Sequence, residues 1–205
     1  MPGTVPSRRR LPAAQRREEL LAAAEEVFGA RGYHGASLEE IAGAAGVSKA
    51  LIYEHFASKR ELHASLVEAH VGEIFARLRA NALAGTDGEA RLRGGVDAFL
   101  AFVEDHRDAW RALFRDAADP EVGDVIERVQ AQAVGVIAAL IAADPESGHH
   151  DERTLQIHAA LLSGGVQALA NWWDANRDVP RAELVDRAIE FCWNGIASLR
   201  LSSQR

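Results

Sequence analysis

Apolar residues recur along most of the chain at the three- and four-residue spacing of amphipathic helices. No stretch alternates polar and apolar residues as a half-buried strand does, and no internal repeat is evident. The pattern predicts an all-α protein. Its first helix runs from Pro12 to about Arg31, and three capped helices follow between Leu38 and Ala84. A larger helical group continues to about Leu201.

The strongest local signals lie in the segment 37–59. Ser37 followed by Glu40 has the spacing of a capping box, in which side chain and backbone amide satisfy each other. Gly46 can adopt the left-handed conformation that ends a helix, and Ser48 can cap the next one. Two short helices joined by a Gly-containing turn are typical of the helix-turn-helix of DNA-binding proteins.

The second of these helices has a solvent face suited to DNA. Ile52 and Phe56 point to the core, which leaves Lys49 exposed in the first turn and Tyr53 and His55 able to donate to phosphate oxygens. A plain helical hairpin with a solvated face is the alternative. The predicted DNA-contacting residues are Ser37, Ser48, Lys49, Ala50, Leu51, Tyr53, His55 and Lys59.

A wider set of positions carries a family resemblance: Gly32, Tyr33, Ser37, Ile41, Ala42, Ala45, Gly46, Val47, Ser48, Ile52, Tyr53, His55, Phe56, Ser58, Lys59 and Leu62. This run resembles the N-terminal domain of the tetracycline-repressor (TetR) family of one-component regulators, over roughly residues 15–62. The resemblance implies a homodimeric, all-helical repressor whose larger C-terminal domain binds a small molecule. The rest of the chain matches only in general plan.

The chain divides into three predicted parts. Residues 1–11 form a flexible basic arm, which could follow the DNA backbone or enter the minor groove, or be a solvated tail. Residues 12–57 form the helix-turn-helix domain, and residues 58–205 form a ligand-binding and dimerisation domain. The helix expected from Ser58 to Ala84 has two apolar faces, so we expect it to contact both domains.

Charge is distributed unevenly. The net charge is −7, yet residues 1–60 carry nine basic and seven acidic side chains, and the remainder carries fourteen basic and twenty-three acidic ones. Both lysines, Lys49 and Lys59, fall in the helix-turn-helix segment. The asymmetry predicts a basic end that meets double-stranded DNA through a few phosphate contacts, with an affinity that falls as salt rises.

The larger domain carries aromatic side chains, together with a few polar groups on otherwise apolar helices. An apolar cavity with some oriented polar groups is what a small-molecule site requires. Packed aromatics with internally satisfied polar groups are the alternative. The predicted effector-binding residues are Phe99, Phe102, His106, Trp110, Phe114, Gln130, His158 and Asn171.

The last two predicted helices carry the densest apolar surface. Periodicity alone does not separate a dimer interface from a core, but the family resemblance implies a four-helix dimer interface here. Two recognition helices related by a two-fold axis read a palindrome with half-sites ~34–36 Å apart. The predicted interface residues are Leu161, Gly165, Leu169, Trp173, Phe191, Gly195, Ile196 and Leu199.

Other function classes find little support. The Walker, HExxH, GxSxG and Rossmann patterns are missing from the sequence, so we expect no enzyme and no cofactor. His149 and His150 in a polar loop with Asp151 and Glu152 could bind a metal, although solvated histidines are more usual, and we expect no metal site. One cysteine, Cys192, and no apolar run of about 20 residues indicate a cytoplasmic protein without a membrane span.

The sequence therefore predicts a ligand-responsive transcriptional repressor. It binds a palindromic operator as a homodimer, and a small hydrophobic effector releases it. The alternative is a dimeric DNA-binding regulator or scaffold that has no effector.

Overall fold

In the computed structural model, the residues described are 12–111, 123–143 and 151–194, and regular structure within these ranges is entirely helical. This confirms the predicted all-α fold. None of the helices described is long and apolar enough to cross a bilayer. In chain order the helices are α1 (Ala13–Gly35), α2 (Leu38–Ala44), α3 (Lys49–His55), α4 (Lys59–Ala84), α5 (Gly88–Asp105), α6 (Arg107–Trp110), α7 (Gly123–Ala142), α8 (Glu152–Ala175) and α9 (Arg181–Asn194).

Helix α1 breaks at Gly32, one residue beyond its predicted end. Gly32 has φ 69° and ψ 174°, in a region that glycine enters without the steric cost other residues bear. The break directs Tyr33 into the core, where it is 7% exposed and its ring stacks on Phe28 with centroids 6.0 Å apart. One further helical piece then ends at Gly35.

Helix α4 is a single helix of 26 residues with the predicted bounds. The Ser58 hydroxyl accepts from the Glu61 amide at 3.1 Å and caps the helix. The Glu61 carboxylate accepts from the Ala57 amide at 2.6 Å, one residue before the cap. The helix packs against α1, along α5 and against α7.

One hydrophobic core runs through both ends of the molecule. Phe28 and Phe56 are buried at the small end formed by α1–α3, and Phe102, Trp110 and Trp173 are buried among the later helices. Helices α5 and α9 pack together, as do α7 and α8. The small end is therefore packed on the larger group of helices through α1 and α4.

Some parts of the chain named from the sequence lie outside the described ranges. These are the basic arm 1–11 and the loop residues His149 and His150. Asp151 is described, and its carboxylate accepts from the Thr154 amide at 2.7 Å, which caps α8.

Candidate nucleic-acid interface

The capping box at the start of α2 is present as predicted. The Ser37 hydroxyl accepts from the Glu40 amide at 3.2 Å, and the Glu40 carboxylate accepts from the Ser37 amide at 3.0 Å. These bonds satisfy amides that have no partner within the helix. Ile41 and Ala42 then face the core, which sets the orientation of α2.

The turn between α2 and α3 is a Schellman motif. Gly46 has φ 63°, its amide donates to the Gly43 carbonyl at 3.1 Å, and the Val47 amide donates to the Ala42 carbonyl at 2.9 Å. The Ser48 hydroxyl then accepts from the Leu51 amide at 3.3 Å and starts α3. The helix-turn-helix geometry thus follows from a few local side-chain and backbone bonds.

Burial determines which face of α3 is available. Ile52 and Phe56 are buried, at 0% and 1% exposure, whereas Tyr53 is 51% exposed. Of the other predicted DNA-contacting residues, Ser48 and Ala50 are exposed, and Ser37, Lys49, Leu51, His55 and Lys59 are partly exposed. The face of α3 that was predicted to contact DNA is therefore accessible from outside the protein.

Lys49 is held by an acidic partner that sequence reasoning missed. Its ammonium group forms an ion pair with Glu39 on α2 and lies 5.9 Å from the centroid of the Tyr53 ring. The hydrogen bond between them lowers the pKa of Glu39 and raises the pKa of Lys49. The signal that could have indicated this ion pair is the position of Glu39 on the exposed side of α2. A DNA phosphate that contacts Lys49 must compete with this carboxylate.

Lys59 and Arg60 both have protein partners. Nζ of Lys59 donates to the carbonyl oxygens of Tyr33 at 2.8 Å and Ala36 at 3.1 Å, and Arg60 pairs with Asp124 on α7 at 2.7 Å. Lys59, which was predicted to contact DNA, thus binds carbonyl groups at the end of α1, and Arg60 links α4 to α7.

Part of the predicted effector set comes together as packed side chains. The rings of Phe99 and Trp110 meet edge to face at 5.4 Å, and the Trp110 indole donates to the Asn171 amide oxygen at 3.0 Å. Phe102 is 1% exposed, and its ring lies 4.7 Å from that of His106. These contacts match the packed alternative for those residues.

The remaining predicted effector residues lie apart from that packed group. Gln130 on α7 and His158 on α8 are exposed. Phe114 lies outside the described residues.

The predicted dimer residues divide into exposed and buried ones. Leu161 and Phe191 are 70% and 53% exposed, Gly165 is exposed and Leu169 is partly buried. Trp173 is a correction, because it is 2% exposed within the protomer and its indole donates to the Val179 carbonyl at 2.8 Å. Gly195, Ile196 and Leu199 lie outside the described residues.

Exposed apolar residues form a stripe along α8. Residues at 157, 161, 164, 165, 168 and 172 are all exposed and recur at the spacing of one helix face. Ile157 is 52% exposed and Trp172 is 50% exposed, and neither was in the predicted interface set. Trp193 on α9 is 52% exposed as well. Patches of this kind mark interaction surfaces in soluble proteins.

Two family descriptions match the chain. Residues 20–66 match "Bacterial regulatory proteins, tetR family", and residues 89–195 match "Tetracyclin repressor-like, C-terminal domain". The first match contains the helix-turn-helix, and the second covers just over half of the chain.

Similar proteins are regulators. The transcriptional activator FasR of Mycolicibacterium smegmatis is 33% identical over 195 residues, which cover 94% of this chain and 88% of FasR. The transcriptional repressor KstR2 of Rhodococcus jostii is 32% identical over 190 residues, 89% of this chain and 92% of KstR2. The structure of the regulator FadR of Bacillus subtilis in complex with stearoyl-CoA has the same fold, with a TM-score of 0.77, 19% identity, and coverage of 87% of this chain and 98% of FadR.

Proposed function

This chain belongs to the tetR family of bacterial regulatory proteins, whose members are DNA-binding transcriptional regulators and not enzymes, and on that premise we propose that it binds a palindromic operator as a homodimer. We further propose that it acts in the cytoplasm as a repressor and that a small hydrophobic effector releases it from DNA. The observation that carries the proposal is the face of α3, which presents Lys49 and the half-exposed Tyr53 beside a Schellman turn.

The proposed DNA contacts follow from this face. Lys49, Tyr53 and His55 reach phosphate oxygens, and Ala50 and Leu51 meet base edges in the major groove. Ser37 and Ser48 hold the starts of α2 and α3 near the DNA backbone. We assign Lys59 a positioning role, since its ammonium group already binds two carbonyl oxygens.

The exposed stripe on α8 supports a homodimer. Leu161 and Trp172 lie one above the other along one helix face, and Gly164 and Gly165 between them leave room for a close helix approach. Pairing with the same stripe of a second copy would remove this apolar surface from water. We propose that α8 and α9 of two copies form the interface, with Leu161 and Phe191 at it.

The proposed division of labour follows the chain. Residues 12–57 bind DNA, residues 58–205 bind the effector and the second copy, and the arm 1–11 adds contacts to the DNA backbone.

The FadR complex with stearoyl-CoA supports a long hydrophobic effector, because it provides a precedent for such a ligand in this fold. KstR2 supports repression by its name, whereas FasR is named an activator.

The packing of the aromatics favours a second candidate function. Phe102 and Trp110 are 1% and 4% exposed, and Trp110 already has a hydrogen-bond partner in Asn171. This arrangement suits a DNA-binding dimer that has no effector. Adding stearoyl-CoA and free fatty acids to the protein–DNA complex separates the two functions: release of DNA with a raised Tm supports the effector, and unchanged binding and Tm support the second candidate.

Selection of duplexes from a random pool, followed by affinity measurements on the recovered sequence, tests the DNA face. We expect Lys49→Ala and Tyr53→Ala each to weaken binding about tenfold or more, with the fold unchanged. Glu39→Gln should tighten binding several-fold, because it removes the carboxylate that competes with phosphate for Lys49. Arg79→Ala, which removes an exposed cation near the other end of α4, is the matched control.

The selected sequence and the affinities of the variants test the proposed DNA-binding face of α3. Recovery of an inverted repeat, loss of binding in both α3 variants and normal binding by Arg79→Ala support it. Normal binding by Lys49→Ala and Tyr53→Ala would show that another surface contacts DNA. Transcription in vitro from a promoter that carries the recovered site distinguishes repression from activation.

A further inference from the structure

We propose that Glu25, His70 and His106 form a binding site for a divalent transition-metal cation such as Zn²⁺. The three residues come from α1, α4 and the junction of α5 and α6, and one ligand atom of each lies within 4.8 Å of the other two. Two imidazole nitrogens and one carboxylate oxygen are a donor set that zinc uses in proteins, with water in the fourth position. This proposal departs from the sequence-based expectation of no metal site.

His70 supplies the strongest indication. It is 5% exposed, and its Nε2 is buried with no hydrogen-bond partner among the residues described. The atom lies 3.5 Å from Oε1 of Glu25. A buried polar atom left without a partner costs free energy. Coordination of a cation that Glu25 shares would remove that cost.

His106 is oriented as metal-bound histidines usually are. Its Nδ1 lies 3.6 Å from the same Oε1 atom of Glu25, and its Nε2 lies 3.3 Å from Oε2 of Glu73. Histidine ligands commonly donate their second ring N–H to a carboxylate, which fixes the tautomer. With Nε2 protonated toward Glu73, the lone pair of Nδ1 is directed to the proposed site.

The distances from Glu25 to the two histidines fit a shared cation better than they fit hydrogen bonds. N–H···O bonds in proteins are about 2.7–3.2 Å long, so 3.5 and 3.6 Å are too long for good ones. Ligands about 2.0–2.1 Å from a tetrahedral zinc ion lie roughly 3.3–3.4 Å from one another. The two distances from Glu25 Oε1 are close to that value.

The surroundings support an ordered site. Arg77 bonds Glu73 at 2.6 Å and Asp105 at 2.7 Å, which holds the carboxylate behind His106 in place. The Phe102 ring packs against both histidines, with centroids 5.7 Å from His70 and 4.7 Å from His106.

A cation here would join the DNA-binding end to the larger helical group. Glu25 lies on α1, which packs against α2, whereas His70 and His106 lie on α4 and beside α6. Binding would therefore restrict the orientation of the helix-turn-helix and change operator affinity. This consequence rests on the proposed DNA-binding function, but metal binding itself does not.

Titration of the chelator-treated full-length protein with Co²⁺ and Zn²⁺ tests the site. We expect one ion per chain, a visible absorption band from bound Co²⁺ and its loss on addition of Zn²⁺. Glu25→Gln and His106→Gln should each weaken binding about 10–100-fold. Glu26→Gln and His34→Gln, which alter exposed side chains on the same α1, are matched controls and should bind as the wild type does. Circular dichroism with chelator present checks that every variant is folded.

Three results would overturn the site: no Co²⁺ band between about pH 6 and 8, unchanged binding in both cluster variants, or equal loss in the controls. Operator affinity measured with and without Zn²⁺ then tests the coupling, and equal affinities would overturn it. A chain that binds Zn²⁺ but no duplex would refute the proposed function and leave the metal site intact.

Discussion

Asp174 shows how a single residue joins distant segments. Its carboxylate accepts from Arg111 at 2.7 and 2.8 Å and from Arg177 at 2.9 Å, and its side chain is 9% exposed. The hydrogen bonds from Arg111, and then Arg177, lower the pKa of Asp174 to about 2 against the opposing effect of burial. Charge-assisted bidentate bonds of this kind are among the stronger ones in proteins.

We expect Asp174→Asn to lower the free energy of unfolding at pH 7 by about 2 kcal/mol. The folded pKa lies below the unfolded one, so the carboxylate stabilises the protein above about pH 4 and loses that effect as the pH falls toward 2. Urea unfolding at pH 7 and at pH 3 measures the difference, which should shrink at the lower pH.

Asp178→Asn, a change at an exposed position nearby, is the control for that comparison and should leave the urea midpoint unchanged. A midpoint for Asp174→Asn equal to that of the wild type at pH 7 would contradict the assignment.

At the scale of elements, the turn between α2 and α3 depends on one backbone conformation. Gly46 has φ 63°, whereas Gly43, inside α2, has ordinary helical geometry and open space where a Cβ would lie. We expect Gly46→Ala to destabilise the protein by about 1–2 kcal/mol and Gly43→Ala to stabilise it by about 0.5–1 kcal/mol. Thermal unfolding of the pair gives the answer, and shifts of the same sign would refute the turn geometry.

Most elements could be predicted because their signals are local. The Ser37–Glu40 capping box and the left-handed Gly46 are each encoded by residues that are close together in the sequence. The bounds of α4 follow from Ser58 at one end and from the turn after Ala84 at the other.

The candidate sites were harder to predict, because the residues that meet in them are distant in the sequence. Lys59 binds carbonyl groups about 25 residues away, and Glu25 meets His70 and His106 across three helices. Helical periodicity predicts on which face of its own helix a side chain lies, but not which other helix that face packs against. For the same reason Trp173 was predicted to lie at the surface, and adjacent Trp172 is the exposed one.

At the scale of the whole molecule, the exposed stripe on α8 predicts the oligomeric state. We expect Leu161→Glu to convert a dimer into a folded monomer, because pairing would bury two unpaired carboxylates against apolar side chains. Analytical ultracentrifugation measures the mass, and circular dichroism measures the helix content.

Ala80→Glu places the same charge at an exposed position on α4 and should leave the dimer intact. A dimer of unchanged stability in Leu161→Glu would exclude this face of α8 as the interface.

The unbroken length of α4 has a mechanical consequence. Its 26 residues make a rod about 39 Å long, with the DNA-binding end packed at one tip and the loop to α5 at the other. A pivot of only about 5° about one tip sweeps the opposite tip through about 3 Å, which is close to the 3.4 Å rise of one base-pair step. In the proposed dimer, a change too small to alter the core packing would therefore shift the two α3 helices out of register with the major groove.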